Sequence, residues 1–598
     1  MRLTTLISSL LLATTATAGG PSFGQAEKKY LEHVANRLKN HAAQVKAEPV
    51  VERDVVKTQG FKFLNDNTES EFLCTTWNAT TLLKLTHGNI EFAVNGTNIP
   101  DVDFDVGESY AGTLPISQDP EETSKLFWWF FPSTNPAAKK EILIWLNGGP
   151  GCSSLEGFLQ ENGPFLWQYG TYKPVKNPWS WHTLTNVIWV EQPVGTGFST
   201  GNVTATSEED VAAQFMGFWK NFIDTFAMQG YKVYITGESY AGLYCPYIAS
   251  AFLDANDKEY YDMSGLMIYD PVISWDEVAE PIPVVQFTEY WQGLFPFNDT
   301  FREHIKKVDA KCGYSDFVSQ YLVYPPKGPQ PSKLPGTDKN GTTRDECWGL
   351  FYEIFDAILL LNPCFDIYQV ATTCPLLWDV LGFPGSMEYL PDGAEAYFDR
   401  DDVKKAINAP ENVKWSSCAE QDVFVGGRDR SEPSAFRALP HVIDATKNVI
   451  ISHGALDMVL IANGTLLGIQ NMTWGGKLGF QNKPDQPFYV PYNTMTDLST
   501  LAAGGVFGSM GSERGLTWVQ IDMTGHMVPQ YAPSAAYRQL EFLLGRVNCL
   551  NCTAPFTTNP DAPQSQQPLG KGTAPQSWSK FSGKKGGRQG GGKGRFAM

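Results

Sequence analysis

Short, nearly unbroken apolar runs recur along the middle of the chain: LFWWFF (126–131), EILIWL (141–146), NVIWVEQP (186–193), KVYIT (232–236) and GLMIYD (265–270). Each has the length and residue types of a strand. Between them lie stretches with helical spacing, such as DVAAQFMGFWKNFIDTF (210–226). Strands alternating with helices predict an α/β architecture, a largely parallel central sheet flanked by helices. The rhythm breaks over 276–400, which holds Cys312, Cys347, Cys364 and Cys374, many prolines and the aromatic CWGLFYEIFDAILLL (347–361). That segment reads as a helical cap inserted over the sheet. The rhythm returns at VKKAIN (403–408), NVIISHGALD (448–457) and LTWVQIDMTGH (516–526), and PSAAYRQLEFLLGR (533–546) predicts a closing helix with Pro533 in its first turn. The core therefore divides into 57–275 and 401–552 around the cap.

The ends of the chain have different patterns. MRLTTLISSLLLATTATAGG opens with a basic residue, continues with a short apolar run and reaches Ala16-Thr17-Ala18, the form of a secretory signal peptide over 1–18. The run is too short to span a bilayer, and no other segment reads as a transmembrane anchor. Residues 19–56, with Leu31, Val34 and Leu38 at helical spacing, read as a propeptide or an N-terminal arm. From 553 to 598 the composition turns Gly-rich and basic, ending FSGKKGGRQGGGKGRFAM. This predicts a flexible solvated tail, with an RNA-binding or wall-binding arm as the alternatives.

The net charge of the 598-residue chain is -18, so the body is not a general nucleic-acid binder, and an excess of carboxylates suits acidic surroundings. Ten cysteines fit disulfides in an oxidising compartment. Asn78, Asn95, Asn202, Asn298, Asn340, Asn463, Asn471 and Asn551 each begin an N-x-[ST] sequon, as expected of a glycoprotein on the secretory route. Secretion and a vacuolar or lysosome-like compartment are both compatible with these features.

The candidate chemistry starts at VYITGESYAG. A strand, a tight turn and a helix-like stretch form the nucleophile-elbow pattern, which projects Ser239 above the sheet edge. The strict G-x-S-x-G pattern has glycine where this chain has Ala241, followed by Gly242. In α/β-hydrolases the serine precedes an acid, and the acid precedes a histidine. Asp457 follows a late strand, and His526 follows the last one. His453 is the rival imidazole, but it precedes Asp457 and reads as a structural loop residue. An oxyanion hole needs two N–H donors: Tyr240, just after the nucleophile, and the glycine-rich WLNGGPGCSS (145–154) supply candidates.

WLNGGPGCSS, ENGP (161–164), NPWSW (177–181), EQPVGTGFS (191–199), GESYAG (237–242) and TGHMVPQYAP (524–533) together resemble the serine carboxypeptidase family, which includes carboxypeptidase Y and the cereal carboxypeptidases. The resemblance covers most of residues 126–545 and implies an α/β-hydrolase fold. It implies Ser239 as nucleophile, His526 as acid/base and Asp457 as its orienting partner. It implies oxyanion donors at the backbone of Gly149 and Tyr240, and recognition of a substrate's C-terminal carboxylate by Asn147, Gly148, Glu161 and Glu238. It also implies a Cys152–Cys418 disulfide. This chain departs from the family pattern at Glu191, where aspartate is usual, at HGALDM, where G-D-x-D is usual, and at Cys245, where an aliphatic residue is common.

Glu238, directly before the nucleophile, would oppose an anionic substrate if it were charged. Two carboxyl groups held close raise at least one pKa, and the protonated member donates a hydrogen bond to a carboxylate. Glu161 and Glu238 are therefore expected to pair. The reading is a serine carboxypeptidase that releases C-terminal amino acids from peptides and proteins at acidic pH, through an acyl-enzyme and without a cofactor. No H-E-x-x-H or comparable metal-ligand spacing occurs. The alternatives are an acyltransferase on the same scaffold and a non-catalytic protective or scaffolding glycoprotein. Side-chain preference and oligomeric state are not legible in the sequence.

Overall fold

The computed structural model describes residues 90–559, apart from 376, 383–389, 391–392 and 494–503. The signal peptide, the 19–56 arm, Asn78 and the tail from 560 onward lie outside the described residues.

Eleven strands form the main sheet. In chain order they are β1 (Ala93–Val94), β2 (Ser109–Pro115), β3 (Lys125–Phe131), β4 (Glu141–Leu146), β5 (Asn186–Glu191), β6 (Lys232–Glu238), β7 (Asp262–Tyr269), β8 (Val449–Gly454), β9 (Gln486–Val490), β10 (Gly505–Glu513) and β11 (Leu516–Ile521). Across the sheet the order is β1-β2-β3-β5-β4-β6-β7-β8-β11-β10-β9. The run from β5 to β11 is parallel. β1 to β3 extend one side antiparallel, and β9 and β10 extend the other.

The apolar runs are continuous because both faces of the sheet are covered. Ile142, Ile144 and Leu146 of β4 enter one core with Trp128 and Phe130 of β3. Leu143 and Trp145 enter the other, with Phe127, Trp129 and Phe131. α1 (Glu208–Phe226) and α2 (Ala241–Ala255) contribute to the first core. There Phe222 and Phe226 meet the Trp128 ring edge-on at 5.2 and 5.6 Å. α1 starts two positions before the helical spacing predicts and stops at Ala227, whose φ of 52° is left-handed.

The segment after β7 is helical, as its aromatic spacing predicts, with α3 (Asp299–Cys312) and α4 (Asp345–Leu361) joined by the Cys312–Cys347 disulfide. After α5 (Ala438–Thr446) the chain re-enters the sheet at β8, and α6 (Pro533–Leu543) closes the second core. α6 carries a fully buried ion pair, Arg538 Nη1 to Glu541 Oε2 at 2.8 Å. Because β6, β7, β8 and β11 are parallel neighbours, the turns that follow them open at one end of the sheet. This carboxyl end is where open α/β sheets build their sites.

Candidate active site

β6 ends at Glu238, α2 begins at Ala241, and the turn between them forces Ser239 to a φ of 64°. A non-glycine residue in that region is strained, and the fold holds it by its backbone. The Ser239 N–H donates to Tyr269 O at 3.0 Å, and its carbonyl accepts from Gly242 at 2.9 Å and Val272 at 3.0 Å. Gly242 is where backbone crowding is tightest after the serine: a Cβ there would lie 2.3 Å from Val272 O. The pattern's second glycine is thus needed one position later than in G-x-S-x-G.

The Gly-rich loop after β4 lies against this elbow. A Cβ on Gly148 would sit 2.5 Å from the Tyr240 N and 2.7 Å from Ser239 Cβ, so only glycine permits the approach. Gly149 has a φ of 111°. The loop is anchored at its far end by the Cys152–Cys418 disulfide and by the Ser153 hydroxyl, which bonds the buried Glu191 carboxylate. Glu191 also accepts from the Trp415 indole at 3.1 Å, and burial pushes its pKa up to about 7. Cys245, on α2, is buried and unbridged among the described residues.

His526 and Asp457 come from the turns after β11 and β8. His526 Nδ1 lies 2.7 Å from Asp457 Oδ2, and both side chains are buried. A carboxylate only accepts, so Nδ1 carries the hydrogen and Nε2 is the basic nitrogen. The other Asp457 oxygen accepts from the Val459 and Leu460 N–H groups at 2.8 and 3.2 Å. The imidazole is fixed from above by Tyr368: its backbone N–H donates to Tyr368 O at 2.7 Å, and the two rings meet edge-on at 5.2 Å.

Beside the elbow, Glu161 and Glu238 are 1% and 4% exposed and turn an oxygen each toward the same Asn147 amide. Glu161 sits on a π-helical turn, Phe158–Asn162, a distortion frequent at functional sites. Asn147 Nδ2 donates to Glu238 Oε1 at 2.8 Å and reaches Glu161 Oε1 at 3.4 Å. The amide is oriented by Trp145 Nε1, which donates to its Oδ1 at 2.7 Å. Burial drives the Glu161 pKa up to about 7. Glu238 is pushed well above the usual carboxyl range, by burial and then by the adjacent Glu161 charge.

The structure therefore gathers Ser239, Tyr240, Asn147, Gly148, Gly149, Glu161 and Glu238 around one turn, and bonds His526 to Asp457. It also adds residues that sequence reasoning missed. Asp270, in the turn after β7, holds His453 Nδ1 at 2.8 Å, with both side chains fully buried. Oxygens of Asp270 and Asp457 and a ring nitrogen of His526 lie within 4.8 Å of one another. His453 is not a loop residue: it is the penultimate residue of β8, in register with Gln520. The available signal was the position of Asp270 at the carboxyl end of the GLMIYD strand. Of the described sequon asparagines, Asn95, Asn202, Asn298, Asn340 and Asn551 are exposed, and Asn463 and Asn471 are half-buried.

Comparison with known proteins places this geometry. A family model described as serine carboxypeptidase matches residues 100–545. The chain is 58% identical over 471 residues to a probable serine carboxypeptidase of Arthroderma benhamiae, covering 77% of this chain and 87% of that protein. It is 48% identical over 469 residues to the serine-type carboxypeptidase F of Aspergillus niger, covering 76% and 87%. The crystal structure of Kex1Δp, a prohormone-processing carboxypeptidase from Saccharomyces cerevisiae, superposes with a TM-score of 0.61 at 22% identity, over 77% of this chain and 96% of that one. The fold is thus that of the α/β-hydrolases. With the family matched across most of the described residues, the chain belongs to the serine carboxypeptidases and is a serine-type carboxypeptidase.

Proposed function

We propose that Ser239, His526 and Asp457 perform the chemistry, and that Glu161, Glu238 and Asn147 select a chain end by binding its carboxylate. The observation that carries this reading is the buried pair of carboxyl groups under the Asn147 amide, next to the strained serine, where burial favours their protonated form. A substrate carboxylate, ionised above about pH 3.5, would meet O–H and N–H donors there rather than two negative charges. The pair holds its proton below its raised pKa and loses it as pH rises through that value. Substrate capture is therefore strongest in acid.

Ser239 Oγ attacks the last peptide carbonyl, and His526 Nε2 takes its proton while Asp457 holds the ring. The oxyanion is stabilised by the backbone N–H groups of Gly149 and Tyr240. His526 then returns the proton to the leaving amine, and the C-terminal residue departs. Water, deprotonated by His526, hydrolyses the acyl-enzyme and restores Ser239. Peptides and protein C-termini are the substrates in this reading.

The sequons, the N-terminal apolar run and the disulfides support a route through the secretory pathway. Among the described residues no helix is long and apolar enough to cross a membrane. Residues 276–400 act as the cap, and 57–275 with 401–552 as the catalytic core.

Timed mass spectrometry of a peptide digest at about pH 5 tests the reading. The expected result is stepwise loss from the C-terminus, no loss from a C-terminally amidated copy at the same rate, and no reaction of Ser239→Ala with a fluorophosphonate probe. Internal cleavage, or labelling of the Ser239→Ala variant, would overturn it.

A further inference from the structure

The two N–H donors of the oxyanion hole belong to different pieces of the chain. Tyr240 stands at the start of α2, whereas Gly149 lies in the loop after β4. Both must meet one oxygen at about 2.7–3.1 Å, so the hole depends on the spacing of the two pieces. Most ties of the loop run away from the elbow. Gly151 O accepts from the Ala419 N–H at 2.8 Å, the Ser153 N–H donates to Ser417 O at 2.7 Å, and Cys152 is bridged to Cys418. At the start of the loop Asn147 Nδ2 reaches Glu238, at the end of β6. The tie to α2 is made by Tyr244. Its side chain is fully buried, and its hydroxyl accepts the Gly151 N–H at 3.2 Å. A Cβ on Gly149 would lie 2.7 Å from the Gly151 N, so a hold on Gly151 is a hold on Gly149. We propose that Tyr244, braced by Tyr240, is a positioning residue for hydrolysis: its hydroxyl ties the glycine loop to the nucleophile's helix and keeps the Gly149 N–H in register with that of Tyr240.

The brace has a second anchor. The Tyr240 and Tyr244 rings meet edge-on, with centroids 5.2 Å apart, one helical turn from each other. The Tyr240 hydroxyl donates to Asp429 Oδ2 at 2.8 Å. Asp429 Oδ1 is itself fixed by the Ser431 N–H at 2.9 Å and hydroxyl at 2.7 Å. A line of contacts thus runs from the 429–431 segment through two phenols to the loop that carries Gly149. Phenylalanine at 244 would fill the same space but leave the Gly151 N–H without its acceptor. The loop would then settle on its 417–419 ties, and a shift of about 1 Å in a positioned group is enough to impair catalysis.

The inference rests on Gly149 and Tyr240 as the oxyanion donors, and the experiment separates the two. Peptide kcat and KM are measured for the wild type, Tyr244→Phe and Tyr240→Phe. Inhibition constants are measured for a peptide aldehyde, whose adduct places an oxyanion in the hole, and for the released amino acid, which places none. Tyr244→Phe is expected to lower kcat roughly tenfold, the upper end for one hydrogen bond and below the about 10²–10³ of a lost donor. Aldehyde affinity should fall by the same factor, while KM and amino-acid inhibition move by less than about twofold. Tyr240→Phe, which frees the brace from Asp429, should show the same pattern with a drop of about threefold. The stoichiometry of fluorophosphonate labelling and the melting curve report whether each variant is folded. A folded Tyr244→Phe with unmoved kcat overturns the proposal, as does one whose aldehyde and amino-acid affinities fall together. If Tyr244→Phe does not fold, Tyr240→Phe decides by the same criteria. Failure of the donor assignment looks different: a crystal structure of the wild-type aldehyde adduct would hold its oxygen away from Gly149 and Tyr240.

Discussion

The glutamate pair permits a quantitative test through Glu238→Gln. Glu238 is nearly fully buried, and its Oε1 accepts at 2.8 Å from the Asn147 amide, which also reaches Glu161. A hydrogen bond onto a charged acceptor contributes about 1.5–3 kcal/mol, or a factor of about 10 to 150 in affinity. The glutamine amide can donate in place of the lost O–H, so the expected effect lies at the lower end. KM for a peptide with a free C-terminus should rise about tenfold at acidic pH. KM for the same peptide amidated at its C-terminus should change by less than about twofold, because it brings no carboxylate. The pH dependence sharpens the test. The raised pKa values mean that the wild-type pair is protonated in acid and starts to ionise as pH climbs past about 7, at Glu161. Wild-type KM for the free peptide should therefore climb over that range, whereas Glu161→Gln/Glu238→Gln should be flat. Steady-state kinetics by chromatography of released amino acid reads both quantities. An equal rise in KM for both peptides, or a double variant that keeps the wild-type pH profile, would refute the role of the pair.

Asp457→Asn should leave KM near the wild-type value and lower kcat about 10⁴-fold, because an amide can hold His526 in the tautomer with Nε2 protonated. Its Oδ1 can still accept the Val459 and Leu460 N–H groups, so the melting temperature should move little. Arg538→Leu should cost about 3–5 kcal/mol of stability, because Glu541 is left charged and fully buried without its partner; a melting curve close to wild type would show the pair to be dispensable.

The element pattern was legible because it is local. A run such as EILIWL is a strand whichever face it turns to the core, and TGESYAG is a strand-to-helix turn wherever the sheet lies. Chain order supplied the rest of the proposed catalytic set, since Asp457 and His526 follow β8 and β11, neighbouring strands of the parallel sheet. His453 shows the limit of that logic. Its place before Asp457 excluded it from the triad, but the short apolar run NVIIS did not reveal that the strand continues through it. Asp270 was visible only as the last letter of GLMIYD, with nothing local to join it to a histidine far along the chain.

The sequence by itself determined the order of strands and helices and the types of residue at each turn, because periodicity and turn chemistry act over a few residues. Family resemblance named Glu161 beside Glu238, and carboxyl chemistry added that two such acids held close would share a proton. Only the tertiary structure decided which acids meet and which imidazole each one holds. It raised the proton affinity of the buried acids as well. The proton affinity of a carboxyl depends on the water removed from it and the charges brought near, and both are set by parts of the chain that are distant in sequence.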